Sequence, residues 1–204
     1  LSLTKRLDGA VCLHVRPGDY LLPHCPILTF FCDEKPEEDL AKMVNGALFV
    51  GGQKTAEQDI EYSLDQLVEI AVRALSPGVN DPGTAISCVD YLAAAVADAA
   101  QRQFPSGLYR DDEGQPRVFA RRFSFAGLFH AAFHQIRQNS GSSVALYARL
   151  LEVFGQLAPH LRTAEQKEAL AVHAQMVYRA VERNVAERED LKSLEDRYRL
   201  VQIS

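Results

Sequence analysis

Apolar positions change rhythm near residue 55: before it, short apolar runs alternate with turn chemistry, and after it they recur at helical spacing. Ala10 to Val15 is a β-prone run, and Pro26 to Cys32 (PILTFFC) is a second. Arg16-Pro17-Gly18-Asp19 between them predicts a turn, because proline presets φ and glycine accepts φ > 0. Pro36 to Asn45 predicts a short helix, with a proline and two glutamates at the positive end of its dipole. Leu48 to Gly51 predicts a third strand.

Thr55-Ala56-Glu57-Gln58 has the form of a capping box, and behind it Ile60, Leu64, Leu67, Ala71 and Leu75 make one helical stripe. Ser76-Pro77-Gly78 ends that helix, with Gly78 allowing the turn. Asp81 then caps a second helix and Pro82 occupies its first position. The buried face predicted for this second helix is Ile86, Val89, Ala93 and Val96, and the short connection predicts a helical hairpin. The polar stretch Tyr109 to Arg117, with Val118 to Phe125 beside it, reads as a β-hairpin or extended arm. Helices follow over Phe125 to Asn139, Ser142 to Leu161 and Thr163 to about Asp190, the last opened by a capping box, Thr163-Ala164-Glu165-Gln166. The charge-dense end beyond Glu182 predicts a solvated helix or a coiled-coil-like contact. These elements describe a predominantly helical α+β fold: one soluble domain over 1–204, in which a small β-rich subdomain (9–52) packs on a bundle of about five helices (55–190), with 191–204 a charged tail.

Composition narrows the partners. Lysine and arginine total 22 against 27 aspartate and glutamate, a formal charge of −5, so no attractive field for nucleic-acid phosphates exists and no nucleic-acid partner is expected. No window reaches the roughly 18 to 20 uninterrupted apolar residues of a spanning helix. Tyr91 to Ala100 is short and contains Asp98, and Leu21 to Cys32 carries Pro23, His24 and Pro26. The chain opens on Leu1 with no signal-peptide pattern, which suggests a fragment or processed product. Cys12, Cys25, Cys32 and Cys88 form no C-x-x-C pair and read as reduced core thiols, which favours the cytoplasm.

The densest chemistry lies in Ser76 to Thr84. Free amides at a helix N-terminus favour an anion; Ser76, Asn80 and Thr84 add hydrogen-bonding groups, and Asp81 a carboxylate for a cation or hydroxyl. Local architecture explains the same residue types as turn and cap. Asp59, Gln66 and Arg73 recur every seven residues along one flank, as a polar groove or a solvated face. His130 and His134 stand four apart, a spacing that holds zinc, but their Ala-Ala-Phe spacer lacks the glutamate of H-E-x-x-H and no third ligand is visible. They are weak metal candidates, and no metal or cofactor is assigned. Nucleotide-binding glycine loops, nucleophile elbows and triad signatures are absent from the sequence.

Gly51 to Ala85 (GGQKTAEQDIEYSLDQLVEIAVRALSPGVNDPGTA) resembles bacterial predicted membrane proteins that carry domain of unknown function 2254. The resemblance rests on Gly51, Thr55, Gln58, Asp59, the run Arg73 to Pro82, Thr84 and Ala85. Arg16-Pro17-Gly18-Asp19 and Phe133-His134-Gln135-Ile136-Arg137-Gln138 extend it upstream and downstream. Lys54 stands where the family pattern has arginine, and lysine cannot clamp a planar anion bidentately. Gly83 stands where a larger residue is usual.

The resemblance implies a parent with N-terminal membrane helices in the bacterial inner membrane, of which this chain is the soluble C-terminal portion; the reduced cysteines favour its cytoplasmic side. The expected partner is the membrane-spanning part of the same parent. A homo-oligomer is expected from the charged C-terminal helix. The leading expectation is a non-enzymatic regulatory, ligand-sensing or assembly domain. Its candidate residues for a small anionic ligand are Lys54, Asp59, Arg73, Ser76, Asn80, Asp81 and Thr84. The alternative is a hydrolase or transferase using Asp59 and Asp81 as acid/base groups, with Lys54 and Arg73 steadying an anionic small molecule.

Overall fold

The structure is a computed structural model that describes residues 1–33, 40–56 and 59–203. The fold is α+β and mostly helical, and the chain divides into two compact units, Leu1–Ile60 with Phe104–Phe123 and Glu61–Gln103 with Ser124–Ser204.

In the first unit, helices α1 (Ser2–Arg6) and α2 (Leu40–Ala47) accompany a sheet of β1 (Ala10–Leu13), β2 (Leu28–Phe31), β3 (Leu108–Arg110) and β4 (Pro116–Ala120). Strand order is β2-β1-β4-β3. β1 pairs antiparallel with β2 (Val11 opposite Phe30) and parallel with β4 (Val11 opposite Val118), while β3 and β4 form a hairpin. A parallel pair needs a long connection, and some hundred residues separate these two strands, so no local pattern announces their pairing. The hairpin expected from Tyr109 to Arg117 is therefore part of the N-terminal unit. Its tip is organised by Asp111, whose carboxylate accepts from the Glu113 and Gln115 amides at 3.0 and 2.9 Å and from Arg117 Nε at 2.7 Å. The Arg117 guanidinium holds the Asp111 carboxyl below its ordinary value.

Two expectations for this unit are corrected. Leu48 to Gly51 forms no strand: Phe49 and Val50 are 96% and 69% exposed, because β-prone residues without a partner edge gain nothing from extension. The next helix does not begin behind Thr55; α3 spans Ile60–Ala74 and Asp59 immediately precedes it, so Thr55 is not its cap. Gln58 of the expected capping box, and Pro36 to Asp39 of the expected short helix, lie outside the described residues.

The second unit packs α3, α4 (Pro82–Ala100), α5 (Phe125–Gln138), α6 (Val144–Leu157), α7 (Ala164–Asn184) and α8 (Arg188–Ile203). Its core is built on Phe129, Phe133, Phe154, Tyr147 and Leu150, with the Phe129 ring 4.9 and 5.2 Å from Phe133 and Phe154. Start signals act as read: Asp81 caps α4, and the Thr163–Gln166 capping box opens α7. Gln166 also donates to the Ala100 carbonyl at 3.0 Å, fastening α7 to the end of α4. Buried stripes are turned slightly from those expected. On α3 they are Leu64, Val68, Ala71 and Ala74, with Leu67 and Leu75 half-buried. On α4 they are Ala85, Cys88, Val89, Leu92 and Val96, with Ile86 and Ala93 half-buried.

The expected helix to Asp190 ends instead at Asn184, where Val185 is extended and buried. The charge-dense end is helical, and α8 buries Leu194 and Val201 against α6 and α7. Arg149 links α4 and α6 through Asp90, and Glu152 links α6 and α8 through Arg197, at 2.5 and 3.1 Å. Among the described residues α4 is the one helix long and apolar enough to cross a membrane, although Asp90 and Asp98 interrupt its runs. Here its Ala85, Val89, Leu92 and Val96 are fully buried, and it packs on α5 and α6.

Candidate functional site

The candidate residues fall into two groups, one in each unit. Lys54 and Asp59 belong to the first, where they meet the Arg16–Asp19 turn. That turn closes by mutual bonds: the Asp19 amide donates to the Arg16 carbonyl at 3.1 Å, and the Arg16 amide donates to the Asp19 carboxylate at 3.1 Å. Arg121 braces Asp19 at 2.9 Å, and the Arg16 guanidinium lies 4.7 Å above the Phe123 ring. Gly18 sits at φ +89°, and a Cβ placed on it would stand 2.0 Å from Asp59 Oδ2. Asp59 itself is 4% exposed, with Lys54 Nζ 3.9 Å from the same oxygen. The glycine thus serves twice, once for the left-handed backbone and once for the close approach of a buried carboxylate. Sequence reading treated the turn and Asp59 as separate features, since nothing local signals their contact.

Arg73, Ser76, Asn80, Asp81 and Thr84 belong to the second unit, along the α3–α4 turn. The left-handed residue of this turn is Asn80, at φ 48°, and not Gly78; asparagine tolerates that region because its short polar side chain bonds locally. Backbone bonds from Asn80 to Ser76 (2.9 Å) and from Asp81 to Ala74 (2.8 Å) close the loop. The Ser76 hydroxyl donates to the Arg73 carbonyl at 2.7 Å. Asp81 receives the Thr84 amide on one oxygen at 3.1 Å and the Thr84 hydroxyl on the other at 2.5 Å. Those two bonds hold its carboxyl below the ordinary aspartate value. A general acid needs a raised pKa, and Asp81 is shifted the other way while it caps α4. Arg73 and Gln66 point to solvent.

His130 and His134 stack face to face, centroids 4.0 Å apart at 22°. Stacking presents ring faces and does not converge the nitrogen lone pairs on one point. The structure adds His173 from α7, edge-on to both at 5.5 and 6.2 Å, which sequence spacing could not reveal. Among the described residues no group of three His, Cys, Asp or Glu is arranged to hold a metal. His173 is 5% exposed, and burial pushes its pKa down to about 4.

The chain is thus a mostly helical α+β protein in which, among the described residues, one helix is long and apolar enough to cross a membrane. The family model described as "Predicted membrane protein (DUF2254)" matches residues 1–156, and the chain belongs to that family. It is 32% identical over 155 residues to uncharacterized protein Rv1290c of Mycobacterium tuberculosis and to uncharacterized protein Mb1321c of Mycobacterium bovis. The match covers 76% of this chain and 30% of each relative, so the chain spans under a third of their length. No solved structure matches the chain.

Proposed function

We propose that this chain is a soluble, cytoplasmic domain of a bacterial inner-membrane protein, regulating or assembling the membrane-spanning part of the same parent without catalysing a reaction. The observation that carries this reading is where large apolar side chains meet solvent. In the first unit Tyr20, Leu22, Phe49 and Val50 are 88%, 61%, 96% and 69% exposed, joined by Phe31 at 57%. The second unit, although larger, exposes fewer such residues among those described, chiefly Tyr91, Leu200 and Val79. Exposed apolar groups concentrated in one unit suit a contact surface, and the family description supplies a membrane setting for it. The acid/base alternative gains no comparable support, because Asp81 is engaged by the Thr84 amide and hydroxyl as a cap and Asp59 is turned onto Gly18.

The test is photo-cross-linking in the parent protein, with a benzophenone amino acid replacing Tyr20, Phe49 or, as control, Val172. The proposal expects cross-links from Tyr20 and Phe49 to membrane segments or lipid, and few from Val172. Cross-links from Tyr20 and Phe49 only to a second copy of this domain would replace it with self-association. Equal, weak labelling at all three positions would remove it.

A further inference from the structure

Helix α8 folds back along α7, and the Tyr178 and Tyr198 rings stack between them, centroids 4.6 Å apart and 5° from parallel. Tyr198 also lines a cleft of about 430 Å³ among α7, α8 and the turn that follows α6. The walls of this cleft are apolar: Leu161, Leu170, Ala174 and Val201 line it, each 5% exposed or less. Ala158, Ala171 and Ala174 carry only methyl groups, which leaves the space between the helices unfilled. A cleft of this size suits one small molecule and is too small for a protein partner, which covers about 800 Å² on each side.

The polar side chains on the lining, Lys167, Gln202 and Tyr198, can all donate a hydrogen bond, and no aspartate or glutamate is among them. Lys167 and Gln202 are exposed, so the polar groups stand at the mouth and the apolar ones inside. Gln202 Nε2 donates to the Tyr198 hydroxyl oxygen at 2.9 Å, which leaves the phenol proton for another acceptor. Lys5 and Lys54 face carboxylates, whereas Lys167 has no ion-pair partner among the described residues. Three and four residues from it along the chain stand Thr163, Ala164, Leu170 and Ala171, so its own helix offers no carboxylate at pairing distance. Lys167 also lies one turn into α7, at the end where the helix dipole disfavours a cation. An unpaired ammonium and a free phenol proton over apolar walls match an anion that carries a hydrocarbon tail.

We propose that this cleft binds a free medium-chain fatty acid, its carboxylate on Lys167 and the Tyr198 hydroxyl and its alkyl chain along Leu170, Ala174 and Val201. The site shares no residue with the α3–α4 turn on which sequence reasoning placed an anion. It does not depend on the membrane contact proposed for the first unit.

The test is calorimetric titration of the full 204-residue chain with sodium decanoate below its micelle concentration. Acetate supplies the head without the tail, and decyltrimethylammonium the tail with the opposite charge. The expected result is saturable binding of decanoate, with both comparison compounds weaker by roughly tenfold or more. Lys167→Gln weakens decanoate roughly tenfold. Ala171→Leu fills the cleft and removes binding; like Lys167→Gln it changes an exposed position to another good helix former, so the variant folds. Lys192→Gln, on α8 but outside the cleft lining, leaves binding unchanged. Absence of decanoate binding overturns the proposal, as does binding that survives Ala171→Leu or is matched by decyltrimethylammonium. Capture of phosphatidylglycerol vesicles without decanoate binding would overturn it in favour of a bilayer surface.

Discussion

Gly18 carries two constraints, a left-handed φ of +89° and the Asp59 carboxylate 2.0 Å from any Cβ. Gly18→Ala therefore adds backbone strain to overpacking, and an equilibrium denaturant titration should show a loss of roughly 2–4 kcal/mol. Shortening the neighbour in the same background, as Asp59→Ser, should recover part of that loss; full additivity of the two changes would mean the contact is not the cause. His173 gives a pH prediction with a definite sign. Its folded pKa of about 4 lies below the ordinary histidine value of 6.5, so the unfolded chain takes the proton first as pH falls. Stability is undiminished above the ordinary value and declines through the window between the two, by up to about 3 kcal/mol. His173→Gln should flatten that decline in unfolding curves taken across the window, and an unchanged slope would contradict the assignment.

Helix starts were legible in the sequence because they are written in adjacent residues. Asp81-Pro82 and Thr163 with Gln166 both act as read. Thr163→Ala should cost about 1 kcal/mol, seen in thermal melts followed by helical circular dichroism. Phe129→Ala removes a fully buried ring at the centre of the aromatic core and should cost about 3–5 kcal/mol. Ends and partners were less legible. The break after Asn184 answers to Val185 entering the core, and the charged tail becomes α8 because Leu194 and Val201 find cover there. Both effects are tertiary and leave no local mark. The same holds for the site: the α3–α4 turn was visible in its residue types, whereas Gly18 against Asp59 and His173 against His130 join segments far apart in sequence.

The whole molecule comprises two compact units. The first holds a small sheet and most of the exposed apolar side chains, and the second a well-filled helical core. Membership in a predicted membrane protein family sets the question of which parts meet lipid. On the proposed reading α4, despite its composition, is a core helix of a water-exposed domain, with Tyr91 68% exposed. The most direct measurement is labelling of Tyr91→Cys, in a Cys25→Ser background, by a membrane-impermeant maleimide in vesicles holding the whole parent protein. The account predicts rapid labelling in inverted vesicles, where the cytoplasmic face is outward, at a rate matching Val172→Cys. Labelling only after detergent is added would place α4 in the bilayer and contradict it.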